Sequence, residues 1–192
     1  MTSSQTQALG QNVMAARVEG FSPVARAFHW ATAALVLTTL PVGITMVNVP
    51  NLGETGNNLF HLHRSIGALV LFVTIPRLIY RLRHPAPALP ADMTAFQQMA
   101  AHATHWALYA LLIVQPLLGW IATSAYRAPT LFFWLFELPP IWKEDRAFSE
   151  AMFRIHMTLG IIIALLVVVH IAAALYHHFI RKDRVLTSMV SG

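Results

Sequence analysis

Four long apolar stretches divide the chain, and polar or proline-rich segments separate them. The stretches cover residues 29–47, 63–80, 106–125 and 157–176. Each is close to the roughly 20 apolar residues that a helix needs to cross a bilayer. Prolines interrupt three of the stretches, which bilayer helices tolerate when neighbouring groups satisfy the freed carbonyls. The pattern predicts an all-α integral membrane protein, a bundle of four helices.

The segments outside the apolar stretches set the expected domain boundaries. Residues 1–21 are polar, with no apolar stretch and no cleavage-like site, so they do not resemble a signal peptide. We expect a disordered tail there, a four-helix membrane domain over residues 22–186 and a C-terminal tail over residues 187–192. The first membrane helix would serve as its own uncleaved insertion signal.

Basic residues are distributed unevenly between the two ends of the predicted bundle. Four crossings put both termini at one end, with eight of the 13 Lys and Arg residues: Arg17, Arg26, Arg77, Arg81, Arg83, Arg181, Lys182 and Arg184. The other end has Arg64, Arg127, Lys143, Arg146 and Arg154, among most of the acidic residues. This bias predicts a multi-pass membrane protein, surrounded by lipid, with both termini in the cytoplasm. Membrane topology therefore accounts for most of the net charge of +5, and nothing indicates nucleic acid binding.

The connection at residues 126–153 differs from an ordinary loop. It contains LFFWLFELPPIW, which is too short and too interrupted to span a bilayer. Its Phe and Trp residues indicate a segment lying in the membrane interface. A loop that is merely apolar is the alternative.

Histidine is the polar residue that stands out in the apolar stretches. Seven of the ten histidines lie within or at the ends of these helices: His29, His63, His102, His105, His156, His170 and His177. A polar group at membrane depth is costly and usually faces the bundle interior with a partner. Any one of them could be a structural histidine, but the pattern of the set favours ligands.

Two histidine pairs follow from the spacing. His156 and His170 are fourteen residues apart, close to four helical turns, so they share a face and lie roughly 21 Å apart along the axis. His63 opens the second helix level with His156, and His29 opens the first helix level with His170. The sequence therefore predicts two cross-bundle pairs, one above the other.

Zinc, copper and haem all accept imidazole ligands. The chain has no cysteine, which excludes disulfides, thiolate ligands and covalently attached haem, and the membrane segments offer no acid. Haem needs only two axial ligands, and small residues follow each predicted ligand by one turn: Ala33, Gly67, Gly160 and Ala174. His61 is a rival to His63 on spacing alone.

A faint internal repeat suggests another pairing. His29 to Gly43 and His105 to Gly119 are both fourteen residues, so the first two helices resemble the last two. The repeat would pair His29 with His105. Against that pairing, the bulky residue Tyr109 follows His105 by one turn.

Several motifs make the chain similar to a known family. They are HW at 29–30, HxxxG at 63–67, RLIYRLRHPAP at 77–87, AHATHWALYALL at 101–112 and H-x13-H-x3-A-x2-HH-x3-KD at 156–183. Over residues 22–186 the chain resembles the bacterial cytochrome b561 family of four-helix dihaem membrane proteins. The resemblance implies two haem b groups, one on the cytoplasmic side held by His29 and His170. The other, on the outer side, would be held by His63 and His156, in agreement with the spacing.

The resemblance also implies an activity, superoxide:ubiquinone oxidoreductase, an enzyme that oxidises superoxide to oxygen and reduces ubiquinone. Arg64 and Arg154, with Arg127 and Lys143, would steer superoxide to the outer haem, or Arg64 and Arg154 would pair with haem propionates. Near the cytoplasmic haem, possible quinone or propionate contacts are His102, His105, His177 and Arg81, with interfacial snorkelling as the alternative. The second hypothesis is a haem-bearing membrane subunit that relays electrons between a redox partner, a dehydrogenase or hydrogenase, and quinone. A bundle without cofactor is the third.

Overall fold

The computed structural model describes residues 20–192, and four long helices account for most of them. They are α1 (Pro23–Asn48), α2 (Gly53–Arg83), α3 (Ala95–Tyr126) and α4 (Arg146–Tyr176). All four are long and apolar enough to cross a membrane. The predicted fold class, a four-helix membrane bundle, is confirmed.

Each helix is longer than the apolar stretch that predicted it, and in three of the four a polar residue outside the stretch caps the helix start. The Ser22 side chain accepts a hydrogen bond from the Ala25 N–H at the start of α1. Thr94 and Gln97 form a reciprocal capping box on α3. Asp145 accepts from the Phe148 N–H at the start of α4. Such caps satisfy N–H groups that a helix leaves unpaired in its first turn.

The helices run up and down in chain order, so the bundle has two distinct ends. At one end, called the terminal end here, the Phe21 N–H donates to the Ser188 carbonyl at 3.1 Å. Ser188 belongs to a short helix, α5 (Val185–Val190), so the C-terminal tail expected from residue 187 begins inside this helix. Residues 1–19 of the tail expected at residues 1–21 lie outside the described residues.

The opposite end, called the hairpin end, has a two-stranded antiparallel hairpin between α3 and α4. Its strands are β1 (Leu131–Phe132) and β2 (Phe136–Glu137). The turn residues Phe133 and Trp134 have φ angles of 47° and 59°, a conformation that bulky residues rarely adopt.

The hairpin is attached to α2 through Ser65. The Ser65 hydroxyl, which is fully buried, accepts from the Phe133 N–H at 2.8 Å and lies 2.9 Å from the Leu131 carbonyl. The connection is thus folded against the bundle, and apolar side chains such as Leu135, which is 78% exposed, face outwards. These outward side chains agree with the interfacial position that the sequence suggested.

The core lies between the two ends and is small. It is formed by Val36, Ile66, Val70, Leu112 and Ile163. Many other apolar side chains on the helices are exposed, for example those of α4. This arrangement is typical of a bundle whose outer surface is covered by lipid rather than water.

Candidate functional site

Two histidine pairs cross the bundle interior, one at each end. At the hairpin end, the ring centres of His63 on α2 and His156 on α4 are 6.1 Å apart. At the terminal end, the ring centres of His29 on α1 and His170 on α4 are also 6.1 Å apart. Two imidazoles that bind one metal from opposite sides, with bonds of about 2 Å, have ring centres about 6 Å apart. Both separations therefore fit one metal ion between the rings.

Backbone carbonyls orient both rings at the hairpin end. The His63 Nδ1 lies 3.2 Å from the Thr39 carbonyl, and the His156 Nδ1 lies 3.0 Å from the Gln115 carbonyl. Since a carbonyl only accepts, Nδ1 of each ring donates its proton there. Nε2 then keeps its lone pair free to bind a metal, as in metal-bound histidines whose other nitrogen is hydrogen-bonded.

Two glycines provide the surfaces on which these rings lie. A Cβ atom on Gly43 would be 2.8 Å from the His63 Cε1, and one on Gly119 would be 2.9 Å from the His156 Cε1. Real Cβ atoms do not approach other atoms this closely, so only glycine allows each ring to lie against the neighbouring helix. These are the two glycines of the His-x13-Gly repeat, which was the sequence signal for them.

Space for a planar group lies beside the hairpin-end pair. A cleft of about 260 Å³ is lined by His63, His156, Gly67 and Gly119 among mostly apolar side chains. A Cβ atom on Gly67, one turn after His63, would meet no atom beyond the backbone of its own helix within 4 Å, so the space beside Gly67 is open. The donor set and the open space together fit a haem group at this end.

The terminal-end pair has different neighbours. Nη2 of Arg77, on α2, lies 3.1 Å from the His29 Nδ1, and the same guanidinium is 5.1 Å from the centre of the Tyr109 ring. The His105 ring on α3 packs edge-on against His170, with centres 5.4 Å apart. The structure therefore brings His29, Arg77, His105 and His170 together at one level.

The rival ligands occupy other positions. His61 lies near Trp134 of the hairpin, with ring centres 6.3 Å apart. His105 lies beside His170, and its Nδ1 is 2.6 Å from the Ala101 carbonyl. The ligand assignment stays a prediction, and the ring separations are those that it requires.

The two arginines predicted to steer an anion lie at the hairpin end. Arg64 lines the cleft, and its Nη1 donates to the Pro129 carbonyl at 2.8 Å. Arg154 is exposed on α4, less than one turn before His156. Both are close in sequence to a predicted ligand, and Arg64 also restrains the segment that leads into the hairpin.

The remaining predicted contacts lie towards the terminal end. His102 is exposed on α3, and Arg81 is half-buried one turn after Arg77. His177 is buried and its Nδ1 is hydrogen-bonded to the Asp183 carboxylate. This contact ties the π-helical turn His177–Arg181, which follows α4, to the segment that leads into α5.

Asp183 is the centre of a polar network that the sequence did not reveal. Arg181 contacts both the Asp183 carboxylate, at 3.2 Å, and the Asp92 carboxylate, at 2.6 Å. Burial acts to raise the pKa of Asp183, but hydrogen bonds from His177, the Val185 N–H and Arg181 outweigh it and hold the pKa below its ordinary value. The network connects the α2–α3 loop, α4 and α5.

The donor inventory limits which metal centre the bundle can hold. Within residues 20–192, no group of three or more His, Cys, Asp or Glu side chains is arranged to hold a metal ion. A metal bound between a histidine pair must complete its coordination with atoms from outside the chain. Haem supplies such atoms from its macrocycle, whereas structural zinc sites take all four ligands from protein.

Comparison with known proteins supports the same interpretation. The sequence profile of the family described as prokaryotic cytochrome b561 matches residues 20–192. Cytochrome b561 homolog 2 of Escherichia coli K12 is 30% identical over 90% of this chain and 92% of its own length. Cytochrome b561 homolog 1 of the same strain is 30% identical over 88% of this chain and 96% of its own. The probable superoxide oxidase CybB of Yersinia pestis is 26% identical over 67% of this chain and 73% of its own. The chain therefore belongs to the prokaryotic cytochrome b561 family, whose members are multi-pass proteins of the bacterial inner membrane that transfer electrons through b-type haem.

Proposed function

We propose that this protein is a dihaem cytochrome that oxidises superoxide to oxygen and reduces ubiquinone to ubiquinol. The observation that carries the proposal is the presence of two histidine pairs with the same 6.1 Å ring separation, one at each end of a single bundle. The likeness to the probable superoxide oxidase CybB of Yersinia pestis, over 67% of this chain, adds support.

Each pair would hold one haem b: His63 and His156 at the hairpin end, and His29 and His170 at the terminal end. Bound haem would supply a one-electron carrier at each pair, held by the two imidazoles. Two superoxide ions each give up one electron and leave as oxygen. One ubiquinone takes up two electrons and two protons, so a protein with two such sites matches a one-electron donor to a two-electron acceptor.

The hairpin end would receive superoxide from outside the inner membrane. Arg64 lines the cleft beside His63, and the exposed Arg154 lies close to His156. Positive charge at such an opening raises the local concentration of a small anion and its rate of encounter. The basic residues in the connection to α4, Arg127 and Lys143, would extend the same field.

The terminal end would face the cytoplasm and reduce quinone. The excess of Lys and Arg at that end supports this orientation. His105 next to His170, with the exposed His102 and the half-buried Arg81, offers donors for a quinone carbonyl. His177 is engaged by Asp183, and it would act as a proton donor through that network rather than by direct contact with quinone.

A stopped-flow experiment tests the proposal directly. Oxidised, haem-loaded protein is mixed with superoxide, with and without a ubiquinone analogue, and haem reduction is followed by absorbance. We expect fast reduction that slows as salt rises, because screening at 0.1 M salt already acts over about 10 Å. When quinone is present, we expect the reduced haem to be reoxidised. Slow, salt-independent reduction would instead favour the partner-linked cytochrome, in which quinone reduction appears only after a dehydrogenase or hydrogenase is added.

A further inference from the structure

Arg77 occupies a position on α2 that corresponds to a haem ligand on α4. It follows His63 by fourteen residues, the same interval that separates His156 from His170. The helices on which these residues lie are corresponding members of the internal repeat. Arg77 is therefore the repeat counterpart of His170, just as His63 is the counterpart of His156.

Contacts within each half of the bundle follow the same correspondence. At the hairpin end, Gly43 contacts His63 in the first half and Gly119 contacts His156 in the second. At the terminal end, His29 contacts Arg77 in the first half. The corresponding contact in the second half is between His105 and His170. The first half has an arginine where the second half has an imidazole, which breaks the symmetry at this end only.

The contact between Arg77 and His29 would change if the His29 Nε2 held iron. An imidazole that binds a metal through Nε2 carries its proton on Nδ1 and becomes a donor there. A guanidinium has only donors, so Arg77 cannot share a hydrogen bond with that nitrogen. Its Nη2 is nevertheless 3.1 Å from the His29 Nδ1, and no acidic side chain within residues 20–192 forms an ion pair with it.

We propose that Arg77 is a positioning residue whose positive charge raises the reduction potential of the terminal-end haem. This inference rests on the two-haem arrangement of the proposed function. A fixed positive charge beside a ligand favours the reduced iron, which carries one positive charge fewer than the oxidised iron. The Tyr109 ring, 5.1 Å from the guanidinium, holds the charge at this level of the bundle by a cation–π contact.

The hairpin end has the opposite influence on its iron. There both Nδ1 atoms donate to carbonyls, of Thr39 and Gln115, which makes the imidazoles stronger electron donors and favours the oxidised iron. Arg64 lines the cleft beside this pair, and its Nη1 donates to the Pro129 carbonyl at 2.8 Å. The inference places the higher potential at the terminal end, so electrons that enter at the hairpin end move towards it.

An equilibrium redox titration of the haem-loaded full-length protein tests the inference. Chemical mediators replace superoxide and quinone, so the result does not depend on the physiological donor. Arg77→Gln removes the charge and Arg77→Lys keeps it. Arg83→Gln is the matched control, because it removes one positive charge from the exposed end of the same helix. His63→Ala identifies which component of the titration belongs to the hairpin end.

We expect Arg77→Gln to lower the reduced-to-oxidised ratio of the terminal-end haem about tenfold at a given potential, which corresponds to a shift of about 59 mV. The hairpin-end component should stay in place, and Arg77→Lys should lie near the unsubstituted protein. If Arg77→Gln shifts the terminal-end component no more than Arg83→Gln does, the inference is wrong.

Loss of the terminal-end haem from a variant is a different result from a shift in its potential. If Arg77→Gln does not retain the terminal-end haem, Arg77→Lys becomes the test of the inference. The lysine variant must then keep that haem, at nearly the potential of the unsubstituted protein. A lysine variant that loses the haem, or whose terminal-end haem changes its reduced-to-oxidised ratio about tenfold at a given potential, overturns the inference. A single haem component in the unsubstituted protein would count against the dihaem function itself, which is a separate result.

Discussion

The two ends of the bundle hold histidine pairs with equal ring separations in unequal surroundings. At the hairpin end the surroundings are symmetric: each ring lies on a glycine and donates to a carbonyl of the preceding helix. At the terminal end, one ring of the pair contacts Arg77 and the other contacts His105. The same side chain at the same separation therefore meets different charges and different hydrogen-bonding groups.

This difference indicates how one repeated unit can provide two functions. The contacts that determine ring position, the glycines and carbonyls, are shared by both halves at the hairpin end. The terminal end keeps the spacing of the repeat but changes one side chain, Arg77 instead of an imidazole. This side chain places a positive charge beside one ring of the pair.

The largest expected effect is loss of one haem per chain on removal of a ligand. His63→Ala or His156→Ala should abolish the hairpin-end haem and leave the other, since each variant removes one of the two imidazoles that would hold it. His29→Ala or His170→Ala should do the reverse. Haem per chain and the reduced-minus-oxidised spectrum measure the result.

The histidines outside the pairs provide the control for this experiment. His105→Ala and His102→Ala should each leave two haems per chain. If His105→Ala removed a haem, the repeat-based pairing of His29 with His105 would replace the pairing proposed here. The terminal-end pair would then be His29 and His105, which occupy corresponding positions in the two halves of the repeat.

The next largest effect concerns the glycines at the hairpin end. Gly43→Ala or Gly119→Ala puts a Cβ atom within 2.9 Å of a ligand ring, so the ring or the helix must shift. Overpacking of this kind costs about 1–3 kcal/mol. We expect weaker binding of the hairpin-end haem and an altered spectrum for that component only.

Gly56→Ala is the matched control for the glycine variants. Gly56 also lies at the hairpin end, but its added Cβ atom would meet only the Leu52 Cβ, at 3.1 Å. Haem content of this variant should match that of the unsubstituted protein. Equal haem loss in Gly56→Ala and Gly119→Ala would mean that the ring contact is not the cause.

A moderate effect is expected from neutralising the exposed arginine at the hairpin end. Arg154→Gln should slow reduction by superoxide about threefold at low salt and flatten the salt dependence, because it removes part of the field that attracts the anion. Stopped-flow absorbance at several ionic strengths measures both. Lys182→Gln, an exposed change at the terminal end, should leave the rate and its salt dependence unaltered.

The smallest effect concerns the polar network at the terminal end. Asp183→Asn should lower the free energy of unfolding by about 1 kcal/mol, because hydrogen bonds to a charged acceptor become neutral ones. The pKa of Asp183 is lower in the folded protein than in the unfolded chain, so its contribution is complete above the ordinary carboxyl range. It is lost as pH falls through the lowered pKa.

Thermal unfolding in detergent at neutral and acidic pH measures this contribution. The unsubstituted protein and Asp183→Asn should differ at neutral pH and converge at low pH. A difference that stays constant with pH would mean that the carboxylate charge does not support the network. The hairpin-end haem spectrum should be the same in both proteins, which restricts the effect to one end.

Much of the architecture could be predicted from the sequence because it depends on neighbouring residues. Four apolar stretches of membrane-spanning length predicted the four helices, since the transfer of each stretch into lipid depends on its own composition. The fourteen-residue interval from His156 to His170 predicted that both rings lie on one face of α4, since helical geometry alone determines this. Helix ends were less predictable, because the capping residues Ser22, Thr94 and Asp145 lie outside the apolar stretches.

Only the tertiary structure decided which groups surround each ring. The contacts of Gly43 with His63 and of Arg77 with His29 join different helices, and they depend on how each helix is rotated about its axis. The position of a residue along its helix determines its level in the bundle. It does not determine which residue of a neighbouring helix it contacts. For the same reason the contact of Ser65 with the hairpin backbone and the Asp183 network appeared only when the helices were packed together.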